Sequence, residues 1–520
     1  MTSTARGEVC EPRDGKPVPT RYGLRRWLVP YFGVLFFVAH VALALARHSD
    51  ALRDPGVGWH LQAGRLVLET GAPPRVDAFS YTAAGKPWLD YYWLFQALSA
   101  LCERAGGLPL VATVWMLVYA CIPLVLYRNT VRSGASPLAA LLIVPLAHTV
   151  LLSHAVTRPH IVTYLAFAVL MGSLADIEED RVPAWRLWWL PLVAMVWANM
   201  HGGFVAGLGA VAAATLGATL QAAVERNPRA WSHARSFAVL FVVMGLATLL
   251  TPYGIALHRQ AIEHVRQAST GRFVEFLSPD FRGGGAAVGC FEVLVLATVA
   301  LGALRHVQPT WAVVTLLVGT LHLALQSVRN MNLFVIVATP LVACGCSRVL
   351  AAGWPRLYAR WQAVAAEQEV GPAWRTQAIL VSVLCIALAL HGRLPFPNTL
   401  DGMQMSAGAI AYVDAHADRF ERLFNTDGLG GVLIYRFWPR LRVFVDDRTP
   451  VYGEAFMHEY FTVFDAQAGW EQVLDTWGVT MAIAATETAI APVLRTSPVW
   501  NVEYEDGQTL IVSRRGSSTP

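Results

Sequence analysis

Two aspartates, Asp54 and Asp77, stand in one polar stretch of an otherwise apolar chain. A carboxylate in such a place can serve as a general base or as a ligand for a cation. The stretch opens Asp54, Pro55, Gly56, Val57, Gly58, Trp59, His60, and continues through Gly64, Gly71, Pro73, Pro74, Asp77, Phe79, Ser80 and Tyr81. Purely structural roles are open to the same residues: Asp54 can cap a helix that follows it, and Asp77 can cap the turn after the Pro-Pro corner. Gly64 and Gly71 bracket a short helix whose Leu61, Leu66 and Leu68 can rest on a membrane surface.

A second group of polar residues recurs at the ends of apolar runs. It comprises Arg158, Pro159 and His160; Asn199 and His201; Thr251 to Gly254 with His258, Arg259, His264, Arg266, Arg272 and Glu275 after them; and Arg329 with Asn330. Each one alone reads as a helix cap or as a cation reaching for the interface. Their gathering on one face points further, because an arginine pairs naturally with two oxygens of a phosphate. Near the C-terminus come Asn425, Asp427, Gly428, Gly430 and Gly431, then Asp446, Asp447, Arg448 and Tyr452. The glycines lack the spacing of a nucleotide-binding loop and suit a tight strand-to-helix turn. Asp446, Asp447 and Arg448 end a β-prone run; an internal ion pair and a position facing a cavity are equally open to them.

The elements that must hold these residues are membrane helices. Of 520 residues, 55% are hydrophobic and 15% charged, against about 25% charged in a soluble domain. Apolar runs read as spans, several of them short, fall at 27–46, 108–127, 138–156, 161–174, 187–198, 204–224, 237–250, 288–304, 311–325, 333–350 and 378–390. These make an α-helical polytopic protein of about eleven spans. The apolar segment 91–102 reads as a re-entrant or interfacial helix, or as the lower half of a bent span.

Arg13, Lys16, Arg21, Arg25 and Arg26 precede the first span, and Arg128, Arg132, Arg181, Arg186, Arg226, Arg229, Arg235, Arg305, Arg348, Arg356, Arg360 and Arg375 fall in alternate loops. The positive-inside rule then predicts a cytoplasmic N-terminal segment at 1–26, a transmembrane domain at 27–392 with a large first outer loop at 47–90, and an extracytoplasmic C-terminal domain at 393–520. The location implied is the plasma membrane of the cell, the inner one where there are two. The C-terminal part reads as a small α/β domain. A helix is expected at 407–415 and strands at 441–445, 481–484, 501–504 and 509–513, with Asp506 and Gly507 as a hairpin turn. The seven cysteines show neither a disulfide framework nor a metal-ligand spacing. Membrane lipids are the expected surroundings, and no nucleic-acid partner is expected.

A basic N-terminus, one span and a long loop opening on an acidic residue resemble the GT-C superfamily of integral-membrane glycosyltransferases, which includes oligosaccharyltransferase catalytic subunits, protein O-mannosyltransferases and bacterial lipid-A sugar transferases. The string Asp54, Trp59, His60, Gly64, Gly71, Pro74, Asp77, Phe79, Ser80, Tyr81, Pro87, Trp88, Trp93, Leu94 is similar to bacterial polytopic proteins of that layout. The likeness extends through Arg158, Pro159, Asn199, His201, Gly202, Gly203, Arg329, Val445, Asp446 and Arg448. It implies a GT-C-like fold and transfer of a sugar from a polyprenyl-phosphate donor to an outer-face acceptor (lipid, glycan or protein) by a single inverting displacement. Asp54 matches the first-loop general base, with Asp77 as the fallback. His60, Arg158, His160, Asn199, His201, Arg329, Asp446 and Arg448 are the implied substrate contacts. Many members carry an adjacent acidic pair where this chain separates its aspartates, which leaves a divalent metal open. A non-catalytic envelope assembly scaffold or a transporter is the competing expectation. Transporters show internal repeats and midplane charges, and neither is evident here.

Overall fold

The structure, a computed structural model, describes residues 31–266, 272, 274–368 and 373–516. The five basic residues of the N-terminal segment and the start of the predicted first span lie outside the described residues.

The helices are α1 (Phe32–Ala46), α2 (Val57–Thr70), α3 (Trp93–Arg132), α4 (Pro137–Leu152), α5 (His160–Glu178), α6 (Leu190–Ala198), α7 (Phe204–Glu225), α8 (Pro228–Ala247), α9 (Ile255–Arg266), α10 (Gly285–Ala303), α11 (Trp311–Gln326), α12 (Met331–Gly353), α13 (Pro355–Gln368) and α14 (Ala373–Leu390). Among the described residues, six helices are long and apolar enough to cross a bilayer, and four shorter apolar ones accompany them. Leu142, Val239, Leu296, Val318 and Leu380 stay exposed on these helices. Lipid solvates such side chains as well as a protein core does, so their exposure there carries no penalty. The chain is a multi-pass membrane protein.

Two predictions about the spans are refined. The segment 187–198 forms only the nine-residue α6 after a 3-10 turn at Ala184–Leu187. Nine helical residues rise about 13.5 Å, less than half of a hydrocarbon core of about 30 Å, so α6 is not a complete span by itself. The apolar segment 91–102 is the start of α3, which breaks at Gly106 and Gly107; Gly107 has φ 67°. Only glycine holds that left-handed conformation without strain, and it redirects the helix between its first turns and the long apolar span.

The C-terminal unit carries α15 (Ala407–Ala415), β1 (Leu423–Asn425), α16 (Asp427–Phe437), α17 (Thr449–Tyr452), α18 (Glu454–Phe464), α19 (Trp470–Thr476), β2 (Met481–Ala485), α20 (Ile490–Thr496), β3 (Trp500–Glu505) and β4 (Thr509–Arg514). Its sheet has the order β1-β2-β4-β3, with β1 parallel to β2 and the other pairs antiparallel. Asp506 makes the predicted hairpin turn by accepting the N–H groups of Gln508 and Thr509. The predicted strand at 441–445 is extended but does not join the sheet. Instead Val443 donates to the carbonyl of Phe79, and Tyr81 donates to the carbonyl of Val443. Pairing with the first loop satisfies its backbone instead of the sheet.

The first loop therefore becomes a shared layer. The α2 helix does not lie on the membrane with a free apolar side: Leu61 is buried, and α2 is packed between α3 and α16. Gly58 and Gly431 allow α2 and α16 to approach backbone to backbone. Arg65 of α2 pairs with Glu103 of α3 at 2.7 Å, and Tyr435 of α16 donates to the same carboxylate at 2.7 Å.

Candidate active site

A cavity of about 330 Å³ opens where α2, the helix ends at 158–160 and 327–331, and the C-terminal unit meet. Helix ends deliver its polar groups. Arg158 and His160 sit at the start of α5, and Arg329 lies in a 3-10 turn, Val328–Asn330, that leads into α12. His201 follows α6, and Asp447 and Arg448 precede α17. The far ends of the same helices, with Arg132, Arg181 and Arg348, line a different cavity. The two sets of polar groups thus occupy opposite faces of the bundle.

Arg158 is the centre. Its Nε lies 3.2 Å from Oδ1 of Asp54, Nη2 lies 3.3 Å from Oδ2 of Asp447, and Nη1 lies 3.4 Å from Oε2 of Glu275. Burial by itself favours a neutral side chain, but the three carboxylates outweigh it and hold Arg158 firmly charged. Arg329 pairs with the other oxygen of Glu275 at 3.3 Å. Burial pushes the carboxyl of Asp54 above its ordinary range, while Arg158 and the N–H of Gly56 pull the other way. For Asp447, burial with the charges of Asp54 and Asp446 prevails over Arg158 and pushes the carboxyl up to about 7.

His201 is set by its neighbours. The N–H of Gly203 donates to its Nδ1 at 3.0 Å, and Thr163 contacts the same nitrogen at 2.7 Å. The ring's other nitrogen, Nε2, faces Arg329, whose guanidinium can only donate. That nitrogen lies 3.1 Å from Nη2 of Arg329. Arg329 thus donates to His201 at the cavity wall, and a guanidinium placed there fits an anionic oxygen. Trp59, Trp88, Tyr91 and Tyr92 line the rest of the cavity with His60.

A second cavity, of about 450 Å³, lies on the other side of the Asp54 segment. Leu43 and Ala44 of α1, Trp115 and Tyr119 of α3 and Ile161 of α5 line it, as do Arg47, Asp50, Arg53 and Asp54. Pro55 borders both cavities, so the wall between them is the Asp54 segment backed by Arg158.

The residues singled out in the sequence separate into two groups. Asp54, Arg158, His160, His201 and Arg329 meet at or beside this wall. His60 is buried against Trp59 at 3.7 Å and within 3.2 Å of the Gln96 amide, and burial holds its imidazole well below the usual value. Asn199 is occupied in packing: it accepts from Trp93 and donates to the carbonyls of Met195 and Leu250. Asp77, Asp446 and Arg448 form a closed cluster. Arg448 lies 2.7 Å from Asp77 and 2.6 Å from Asp446, and both carboxylates are fully buried. Ser80 also donates to Asp77, and Tyr452 donates to Asp446. The Arg448 guanidinium lies over Trp88, 4.4 Å from the ring centre. Glu275 and Asp447 stand out in the sequence but are not among the implied substrate contacts, and neither is Tyr92; all three belong to the site.

The donors do not suit a metal centre. Among the described residues no group of three or more His, Cys, Asp or Glu is arranged to hold an ion. The three carboxylates nearest the wall are spread around a guanidinium instead of turned to a common point.

The fold has known structural counterparts. The oligosaccharyltransferase of Archaeoglobus fulgidus in its apo form superposes with a TM-score of 0.55 at 12% identity, covering 95% of this chain and 76% of that one. The archaeal oligosaccharyltransferase AglB of the same organism, solved with an inhibitory peptide and a dolichol-phosphate, gives 0.54 at 11% identity, covering 94% and 75%. ArnT from Cupriavidus metallidurans in the apo state gives 0.47 at 14% identity, covering 92% and 97%. No family model and no curated protein sequence matches the chain. The chain therefore shares the fold of these oligosaccharyltransferase structures.

Proposed function

We propose that this protein is a membrane glycosyltransferase that moves a sugar from a polyprenyl-phosphate-linked donor to an acceptor by a single inverting displacement. The face bearing the C-terminal unit is taken as extracytoplasmic and the membrane as the plasma membrane, in line with the basic residues of the alternate loops. The observation that carries the reading is the guanidinium of Arg329, hydrogen-bonded to Nε2 of His201 at 3.1 Å, in a cavity whose wall holds Asp54 on Arg158. A dolichol-phosphate has been captured by a protein of this fold, which supports the donor class.

In this reading the donor phosphate lies against Arg329 and His201, with Arg158 beside it. The acceptor comes from the second cavity, where Asp54 takes the proton from its hydroxyl or amine. The acceptor atom bonds to the anomeric carbon as the carbon–phosphate-oxygen bond breaks. The electron pair of that bond stays on the phosphate, whose growing charge the arginines stabilise. The indole and phenol rings of Trp59, Trp88 and Tyr92 offer flat faces for a sugar ring.

Binding of a short-chain polyprenyl phosphate to the purified protein tests the donor site. Arg329→Ala is expected to weaken it about 10- to 100-fold, the loss of one charge-assisted hydrogen bond at about 1.5–3 kcal/mol. Unchanged affinity would remove Arg329 from the site.

A further inference from the structure

Asp54 and Asp447 make their ion-pair contacts with one and the same guanidinium, that of Arg158. They are close together: a methyl group placed on Gly56 would lie 2.9 Å from Oδ2 of Asp447 and 3.1 Å from Oδ1 of Asp54. Both side chains are largely buried, 10% exposed for Asp54 and 18% for Asp447. Two carboxylates so placed share one positive charge, which Glu275 draws on as well. Adding an anionic phosphate to the same cavity brings a further negative charge into a poorly solvated place. Like charges at such distances cannot all persist, and the least costly relief is to bind a proton.

We infer that Asp447 takes up a proton when the donor phosphate binds and then holds the phosphate as a neutral, hydrogen-bond-donating carboxyl. This rests on the donor class proposed above. Asp447 is the member of the pair that lines the phosphate-side cavity, whereas Asp54 faces the other. Trp59 donates its indole N–H to Oδ1 of Asp447, which leaves Oδ2 to carry the proton. Oδ2 is also the atom that contacts Arg158, so protonation turns a competitor for that guanidinium into a second donor and releases Arg158 to the phosphate. Burial already raises this carboxyl into the neutral range, so the uptake costs little near pH 7.

Other groups around Asp447 could contribute to a pH effect. Arg158 and Asp54 face it from the wall, with Glu275 behind Arg158. His60, next to Trp59 on α2, is held neutral by burial. Asp446 and Arg448, its chain neighbours, are tied to each other. Asp427, His160, His201 and Arg329 line the same cavity. The test therefore compares variants of Asp447 instead of relying on a single curve.

The probe is a short-chain prenyl phosphosugar. It is a phosphodiester, with one charge throughout the neutral range. Binding to the full chain in detergent, without acceptor, is followed by tryptophan fluorescence. Wild-type Kd is expected to rise by about tenfold per pH unit above about pH 7, the slope of one linked proton. Asp447→Asn should bind tightly with no such slope, and Asp447→Glu, which keeps a titrating carboxyl, should retain one. A flat wild-type profile overturns the inference, and so does an Asp447→Asn protein with the wild-type slope. If Asp447→Asn fails to fold, the wild-type and Asp447→Glu slopes decide. Absence of binding by every protein at every pH overturns the donor reading together with the inference, whereas binding without the slope overturns the inference alone.

Discussion

Gly58 and Gly431 meet backbone against backbone, and a side chain on either would overlap a main-chain carbonyl: that of Gly431 for the first, that of Pro55 for the second. This contact seats the C-terminal unit on the segment that carries Asp54.

Gly431→Ala is expected to destabilise the protein by about 1–3 kcal/mol, the usual cost of overpacking a tight interface. Sugar transfer should fall with it, because the Asp54 segment must shift. Gly428→Ala, three residues earlier with open space around it, should leave the melting temperature unchanged. Thermal unfolding in detergent distinguishes the two; equal melting temperatures would show that the close approach is dispensable.

Arg448 is the one cation between two fully buried carboxylates, Asp77 and Asp446. Removing one partner of a buried ion pair costs about 3–5 kcal/mol, because a charge is left uncompensated. Arg448→Met and Asp77→Asn should therefore both lower the folded yield and the melting temperature. An Asp77→Asn protein that is as stable as wild type but inactive would instead point to chemistry at Asp77.

Asp90 is completely buried, accepts from Gln96 at 2.9 Å, and is pushed by burial up to about 7. Its folded-state value lies above the unfolded one of about 3.9, so the protonated form favours folding. That contribution is full below about pH 4 and is lost as pH rises to about 7. Asp90→Asn should accordingly raise the melting temperature more at pH 8 than at pH 5, by several degrees on the order expected for a few kcal/mol. The opposite ordering would contradict the burial argument.

Asp54→Asn is expected to reduce sugar transfer by about 10²–10⁴-fold, the usual contribution of a general base. Membrane insertion and donor binding should remain. Normal transfer by an inserted, folded Asp54→Asn protein would exclude Asp54 as the base.

The membrane helices are legible in the sequence because spanning requires only an uninterrupted apolar run, a local property. The hairpin at Asp506 is legible for a similar reason: turn residues act within four positions. The three-residue strand β1 is too short to leave a pattern, and 441–445 has β character whose partner, the first loop, lies more than 350 residues away. The candidate site shows the same division. Asp54, Arg158, His201 and Arg329 announce themselves as polar groups at the ends of apolar runs. Asp447 stands out with Asp446 and Arg448, but the sequence leaves open whether each forms an internal ion pair or faces a cavity. In the fold Asp446 is tied to Arg448, whereas Asp447 meets Arg158 at the cavity.

The sequence by itself therefore determined that this chain is a bundle of membrane helices with a C-terminal α/β unit, and which residues are costly enough to need an explanation. Hydrophobic run length and charge placement suffice for that, since each acts over one helix at a time. Only the tertiary structure decided which of the two first-loop aspartates meets Arg158 and which is closed off by Arg448. Both are acidic residues in the same loop. Their difference arises from partners more than 100 residues distant for Asp54 and more than 360 for Asp77, brought to them when α2 docks against α16 and the helix ends converge.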